Sequence, residues 1–135
     1  MNAAEAFHDS NIVLYLVSSD AAKADIAEAL IADGGHISVQ VLNEFASVAT
    51  GKFKMTWAAV ADILDVVRSV CRVHPLSLET HDEARAIAQR YGLGFYDALI
   101  VAAAILADCK VLYSEDLQAG QKIEGRLTVR NPFHE

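Results

Sequence analysis

The fold class of this chain is decided by residues 96–107, Tyr96-Asp97-Ala98-Leu99-Ile100-Val101-Ala102-Ala103-Ala104-Ile105-Leu106-Ala107. Apolar residues cover nearly every face of a helix built from this stretch, which predicts a helix that is buried on most sides. The next segment, residues 110–113 (KVLY), is a short apolar strand of the kind found in the middle of a parallel sheet. Together the two segments indicate an α/β domain.

The same alternation of strands and helices extends outward along the chain. Further strands are predicted at residues 4–8, 36–39, 73–76 and 127–129. Further helices are predicted from Ser10, at 21–33, from Ser38 through Thr50, at 57–70 and at 82–91, with a short turn or helix at 117–121. Pro75 favours an edge position for the third strand, because proline cannot donate a hydrogen bond to a neighbouring strand.

Residues that cap or stop helices support these boundaries. The candidate caps and stops are Asp20, Ser38, Thr56, Gly34-Gly35 and Gly92. Thr80, with Glu83 three residues later, forms a capping-box pattern for the helix at 82–91. The whole pattern predicts a single domain over residues 1–135, with three α/β/α layers and a central, mainly parallel sheet.

Composition narrows the class of protein. With 53% apolar and 21% charged residues, the 135-residue chain has the composition of a globular domain with a full core. The longest apolar run, Ala98 to Ala107, has ten residues, and a membrane-spanning helix needs ~18. Because no basic secretory segment precedes Asp9 and the two cysteines are isolated, we expect a cytoplasmic protein whose Cys71 and Cys109 are reduced core thiols.

Four acidic residues stand beside apolar runs, where a carboxylate is costly unless it is paired or neutralised: Asp9, Glu44, Asp97 and Asp116. Asp9 and Asp116 follow predicted strands, and the other two lie early in helices that can lean over the same edge of the sheet. Ligands collect at the carboxyl ends of parallel strands. The pattern therefore predicts a divalent-metal site. Taken singly, Asp9 and Asp97 are also explained as helix caps and Glu44 as a solvated residue.

The net charge of −7 argues against a strongly basic nucleic-acid surface. Two divalent cations at the acidic site would add +4 and bring the balance to −3. Local charge also matters more than the total. The basic positions that lie close together in sequence are Lys52 with Lys54, and Lys122 with Arg126 and Arg130.

Several segments resemble the motifs of PIN domains. Residues 7–15 (FHDSNIVLY) look like their opening Asp-Thr-Asn segment, and residues 38–45 (SVQVLNEF) match the middle motif. Residues 96–104 followed by 112–118 (LYSEDLQ) are similar to the VapC-type toxin branch, as is the ending at residues 129–133. Ser10 replaces the usual threonine but keeps a hydroxyl. His8 stands where an apolar residue is common, and is either a strand-end histidine or a residue at the rim of the site.

The resemblance implies a ribonuclease that acts as the toxin of a type II toxin–antitoxin system. Such an enzyme hydrolyses RNA phosphodiester bonds with water activated by Mg²⁺ or Mn²⁺. By position, Asp9 and Asp97 would be the principal metal ligands, Glu44 and Asp116 would complete the cluster, and Ser114 would orient a carboxylate or water. The implied partners are an RNA substrate, a cognate antitoxin protein that covers the acidic cleft, and a second copy of the chain.

Other classes of function fit the sequence less well. The main alternative is a catalytically silent PIN-like module that only engages a partner protein or RNA; its hallmark would be the loss of one of the four acids, and all are present. Neither cysteine has a polar, base-bearing neighbourhood, so a thiol nucleophile is not indicated. Gly34-Gly35 is a helix stop and not a phosphate-binding loop. Asp9-Ser10-Asn11 lacks the second aspartate of a haloacid-dehalogenase-type phosphatase.

Overall fold

The computed structural model describes residues 3–134, and within this range six strands form one sheet. The strands are β1 (Ala6–His8), β2 (His36–Ser38), β3 (Arg72–His74), β4 (Val111–Tyr113), β5 (Lys122–Ile123) and β6 (Leu127–Arg130). Their order across the sheet is β3-β2-β1-β4-β6-β5, and every neighbouring pair is parallel except β5 with β6. The predicted α/β fold with a mainly parallel sheet is confirmed.

Six α-helices in the described part of the chain flank this sheet. They are α1 (Ser10–Leu14), α2 (Ala21–Ala32), α3 (Val39–Gly51), α4 (Trp57–Val70), α5 (Leu78–Tyr91) and α6 (Phe95–Leu106). Every side chain from Ala98 to Ile105 is buried, because α6 packs between α5 and the sheet, where it contacts β2. The deciding segment is therefore the central helix of the core, as its composition predicted. No helix within residues 3–134 has the length and apolarity needed to cross a bilayer.

The two central strands bring together the polar residues that come directly after them in the chain. His8 at the end of β1 pairs with Tyr113 at the end of β4, and the Asp9 amide donates to the Tyr113 carbonyl at 3.0 Å. Since side chains of neighbouring parallel strands leave the sheet in register, Asp9 and Ser114 emerge side by side. Polar groups therefore meet at the carboxyl-terminal ends of β1 and β4.

The structure corrects one predicted helix start and one predicted capping hydrogen bond. Helix α5 begins at Leu78 and not at Asp82, because Ser77 and Thr80 form the capping box; the Thr80 amide donates to Ser77 Oγ at 3.2 Å. The Thr80 hydroxyl takes the role that the sequence pattern assigned to Glu83. Ser38 does precede α3, but its hydroxyl makes no capping hydrogen bond and has no partner among the described residues.

Near the end of the described chain, the structure replaces a predicted turn or helix by turns and a hairpin. Residues 117–121 are irregular, and the two-residue strand β5 then pairs antiparallel with β6. Glu124 and Gly125 turn the hairpin with φ of 53° and 65°, a conformation that favours glycine. A strand of two residues is too short to produce a hydrophobic period, which is why the sequence analysis did not predict it.

Burial of the two cysteines yields a first prediction. Cys71 and Cys109 are free and buried, and burial raises the pKa of their thiols to about 11 and about 12. Because the thiolate is the reactive form, both should resist a disulfide reagent such as DTNB at pH 8 in the native protein. Both should react once guanidinium unfolds the chain, with Cys71→Ser and Cys109→Ser assigning the signals. Equal reaction rates of native and unfolded protein would contradict the burial of these thiols.

Candidate metal centre

Asp9 is a buried carboxylate at the centre of the site. It caps α1, where its Oδ1 accepts from the Ser10 amide at 2.6 Å, and its Oδ2 accepts from Ser114 Oγ at 2.7 Å. Only 4% of the residue is exposed. The hydrogen bonds fix the plane of the carboxylate against the ends of β1 and β4.

The electrostatics of Asp9 are unfavourable to its charged form. Burial, the largest cause, and the charges of Asp116 and Glu44 together raise its pKa from 3.8 to about 7, against the opposing effect of the hydrogen bonds from Ser114 and Ser10. No ion pair within residues 3–134 includes Asp9, Glu44, Asp97 or Asp116. The negative charge is thus concentrated here, and no cation in the described part of the chain forms an ion pair with it.

Asn11 links the ends of the two strands, and the sequence analysis did not single it out. Its Nδ2 donates to Asp116 Oδ2 at 3.2 Å, and more weakly, at 3.4 Å, to Asp9 Oδ2 and to Ser114 Oγ. Its Oδ1 accepts from the Glu115 amide at 3.2 Å. One amide side chain therefore holds Asp116 and the segment after β4 against Asp9. The only sequence signal was its place in the Asp9-Ser10-Asn11 motif.

Ser114 and Ser10 act as connectors within this group. Besides donating to Asp9, Ser114 Oγ accepts from the amides of Asp116 and Leu117 at 3.2 and 3.3 Å. Ser10 Oγ donates to Glu44 Oε1 at 2.5 Å, so the hydroxyl that replaces the expected threonine binds an acid of the site. Glu44 itself lies in the second turn of α3.

Asp97 lies in the first turn of α6 and is the most loosely held of the four acids. It forms no hydrogen bond to the other three within the described residues, but burial and the charge of Asp116 both raise its pKa. Gly94 precedes α6, and a Cβ placed there would stand 4.0 Å from Asp97 Oδ2. Charge, not a hydrogen bond, is what connects Asp97 to the others. The acidic cluster comprises Asp9, Glu44, Asp97 and Asp116.

His8 lies inside the fold and not at the rim of the site. The residue is 1% exposed, its Nε2 donates to the Gly34 carbonyl at 2.7 Å, and burial lowers its pKa. Of the two interpretations that its sequence position left open, the strand-end histidine is the correct one.

The donor atoms suit a hard divalent cation. The acidic cluster supplies carboxylate oxygens, and Mg²⁺ and Mn²⁺ prefer oxygen ligands. Within residues 3–134, no three His, Cys, Asp or Glu side chains stand close enough to form a preassembled metal site. Mg²⁺ commonly binds through one or two carboxylates and keeps several waters. The residues therefore fit such an ion. The attracting group is the buried carboxylate of Asp9, which has no cationic partner among the described residues.

Comparison with known protein families matches most of the chain to one family. The family description that matches is the PIN domain, over residues 6–122. No protein of curated function matches the sequence at a significant level.

Solved structures similar to this one cover nearly the whole chain. A toxin–antitoxin complex from Klebsiella pneumoniae has 24% identity and a TM-score of 0.69, covering 94% of this chain and 97% of that one. VapC20 from Mycobacterium tuberculosis, described as a toxin that cleaves the sarcin–ricin loop, has 19% identity and a TM-score of 0.67, covering 82% and 89%. VapBC2 from Rickettsia felis has 19% identity and a TM-score of 0.63, covering 93% and 98%. At these identities the likeness establishes the fold.

The raised pKa of Asp9 predicts a stability effect with a definite sign. In the unfolded chain the carboxyl ionises near 3.8, and in the folded protein its pKa is about 7. Between these values the unfolded state gives up its proton more readily, so the contribution of Asp9 to stability falls as the pH rises from about 4 to about 7. In EDTA, Asp9→Asn should therefore melt higher than the wild type at pH 7.5, by about 4 °C or more.

The advantage of Asp9→Asn should shrink as the pH is lowered toward about 4.5, when measured by thermal unfolding in a pH series. Asp65→Asn, which removes one exposed carboxylate on α4, is the matched control for the change in net charge. An Asp9→Asn variant that melts below the wild type at every pH would refute the proposed cost of the buried charge.

Proposed function

The chain belongs to the PIN domain family, and from this premise we propose that it is a metal-dependent ribonuclease acting as the toxin of a toxin–antitoxin pair. Among the similar structures are toxin–antitoxin complexes and a toxin described as cleaving the sarcin–ricin loop. Those descriptions favour RNA hydrolysis over other phosphodiester chemistry. In this proposal residues 1–135 form a single PIN domain.

One observation carries the proposal: a buried carboxylate, Asp9, is held by hydrogen bonds beside other acids with no cation to balance it within residues 3–134. A fold retained only for its shape gains nothing from this arrangement, because burying an uncompensated charge costs stability. The arrangement becomes favourable when a divalent cation binds. Strain of this kind concentrates at functional sites.

The four acids have separate tasks in the proposal. Asp9 and Asp97 are the principal ligands of Mg²⁺ or Mn²⁺, and Glu44 and Asp116 complete the shell directly or through water. A bound divalent cation lowers the pKa of water and stabilises the charge that develops on a phosphodiester.

The polar neighbours of these acids are positioning residues. Ser114 keeps the Asp9 carboxylate in one orientation, and Asn11 keeps Asp116 beside it. Ser10 holds Glu44 at the same edge of the sheet. Because protein groups alone make these contacts, they restrict the acids without help from a substrate, which lowers the ordering cost of binding.

A catalytically silent binding module is the competing function. It would retain the fold and engage protein or RNA without turnover. The presence of all four acids, with Asp9 and Asp116 linked through Asn11, favours the enzyme.

The proposed partners are a cognate antitoxin and a second copy of the chain. The cluster lacks a cation within residues 3–134, so an antitoxin Arg or Lys would pair with the acids and take the place of the metal. Large apolar side chains on helical faces, such as Trp57 at 70% exposure and Val66 at 64%, are available to such partners.

The central prediction concerns Asp97. RNA cleavage should require Mg²⁺ or Mn²⁺, stop with EDTA, and fall by roughly 10²-fold or more in Asp97→Asn, because the amide cannot hold the cation as a carboxylate does. The measurement is sequencing of RNA ends after brief production of the protein alone, which identifies the substrate at the same time.

The control variant for this experiment is Asp65→Asn, which removes an acid on the exposed face of α4 and should cleave like the wild type. Equal cleavage by Asp97→Asn and the wild type would refute the site. No new RNA ends with any variant, together with stable binding of a partner, would favour the silent module.

A separate prediction concerns competition between metal and antitoxin. Mn²⁺ affinity, measured by isothermal titration calorimetry, should be lower for the purified complex with the antitoxin than for the protein alone. Undiminished affinity in the complex would contradict displacement of the metal, and would leave the nuclease assignment intact.

A further inference from the structure

A second feature lies beside the acidic cluster: a hollow of about 270 Å³. The residues that line it include Asn11 on α1, Tyr15 directly after α1, Lys52 and Phe53 at the end of α3, and Glu115 after β4. Asn11 also donates to Asp9 and Asp116, so one residue of the lining contacts two acids of the cluster. Its volume lies just below the roughly 300–1,000 Å³ of small-molecule sites, which suits a single base-sized group.

The side of the hollow at the end of α3 carries an aromatic ring on a fixed backbone. Phe53 is 44% exposed, yet the chain on both sides of it is pinned to α3. The Lys52 amide donates to the Val48 carbonyl at 2.8 Å, and the Met55 amide donates to the Ala49 carbonyl at 3.0 Å. Lys54 between them has a φ of 56°, which turns the chain at the end of the helix. The backbone that carries the Phe53 ring is thereby held in place.

The side of the hollow formed by Tyr15 and Glu115 is held by ring packing and by a salt bridge. The Tyr15 ring packs on Phe133, with 4.6 Å between ring centroids, and Lys23 Nζ lies 5.0 Å from the Tyr15 centroid. Lys23 Nζ also pairs with Glu115 Oε2 at 2.7 Å, and the Tyr15 hydroxyl donates to Glu115 Oε1. Glu115 would otherwise repel an anion, but the Lys23 pair neutralises it.

Two lysines at the end of α3 supply positive charge on the Phe53 side of the hollow. Lys52 and Lys54 form no ion pair within residues 3–134, and Lys52 Nζ lies 5.8 Å from the Phe53 ring centroid. In a chain of net charge −7, these two lysines place a local cationic group next to an aromatic surface. An aromatic platform with a neighbouring cation is the arrangement that holds single-stranded nucleic acid without reading its sequence.

We propose that this hollow is a nucleotide subsite of the ribonuclease: the base of an unpaired RNA nucleotide stacks on Phe53, and Lys52 contacts the adjoining phosphate. The subsite positions the strand so that a neighbouring phosphodiester reaches the acidic cluster. It rests on the proposed nuclease function and adds a reason for preferring single-stranded RNA, because a paired base must first be unpaired and unstacked, at a cost in free energy, to enter the hollow.

A larger hollow elsewhere provides a contrast. About 530 Å³ lies between α2 and α4, lined by aliphatic side chains such as Ile31 and Val66 and by the acids Glu28 and Asp62. Those acids would repel a phosphate backbone, so RNA is a poor occupant there. The hollow beside the acidic cluster combines an aromatic ring with a lysine that has no ion pair among the described residues.

The test measures binding of a short, fluorescein-labelled single-stranded RNA of mixed sequence to the Asp97→Asn protein in EDTA, where no cleavage is expected. In that background Phe53→Leu keeps an apolar side chain but removes the ring, and should weaken binding roughly tenfold at every salt concentration. Phe53→Trp should bind as the parent does. Lys52→Gln should weaken binding and reduce the slope of log affinity against log salt by about 0.7.

Stacking has its own signature. The fluorescence of 2-aminopurine in the RNA should be quenched on binding to the Asp97→Asn parent and to Phe53→Trp, and recover in Phe53→Leu. A merely structural role of Phe53 would not alter this signal at equal occupancy. The matched controls are Leu78→Ala, an exposed apolar residue outside the hollow, and Lys122→Gln, an exposed lysine outside it. Both should bind RNA like the parent.

The outcomes separate the subsite from the nuclease function. Parent-like RNA binding by both Phe53→Leu and Lys52→Gln, in protein that melts normally, would overturn the subsite even if the wild type cleaves RNA. A Phe53→Leu defect confined to binding of a protein partner would also overturn it. Phe53-dependent stacking in a protein whose wild type cleaves no RNA would support the subsite and refute the proposed nuclease function.

Discussion

The parallel pairing of β1 with β4 is the constraint on which the site depends. The register that sets His8 opposite Tyr113 delivers Asp9 and Ser114 next to each other, and the Asp9 amide closes the pair on the Tyr113 carbonyl. A shift of β1 by one residue against β4 would turn the β1 side chains to the opposite face of the sheet and separate Asp9 from Ser114. Burial of β1 and β4 in the middle of the sheet makes that register strongly specified. The site therefore inherits its accuracy from the core.

The same core makes the site costly in stability. Asp9 is carried into a dry environment, and its hydrogen bonds to Ser10 and Ser114 compensate only in part, so its pKa remains raised. Asn11 can hold Asp116 close because an amide donates to a carboxylate without adding positive charge. A lysine in its place would pair with Asp116 but would put a cation where the proposed metal binds. This trade between stability and function is general at active sites.

The sequence predicted the features that depend on long patterns. Helix α6, the caps Asp20 and Thr56, and the edge position of the strand before Pro75 all agree with the structure. The features that it missed depend on single contacts. The capping box of α5 uses the hydroxyl of Thr80, and a pattern search for Glu cannot see that choice.

The candidate site likewise has features that the sequence predicted and features that it missed. The positions of the acids at strand ends and early in helices followed from the order of elements. The linking role of Asn11 depends instead on its hydrogen bond to Asp116, which lies more than a hundred positions further along the chain. Likewise the hollow at Phe53 forms only when the end of α3 meets the segment after β4. Contacts between distant segments are decided by packing, and one sequence by itself carries little information about them.

The two borders of the sheet have a consequence for how copies of the chain associate. One border, β5, is two residues long, and the other, β3, is three residues long and runs into Pro75. Such short borders leave few unsatisfied main-chain groups onto which a strand from another molecule could add. Fibril-like stacking through these edge strands is thereby discouraged.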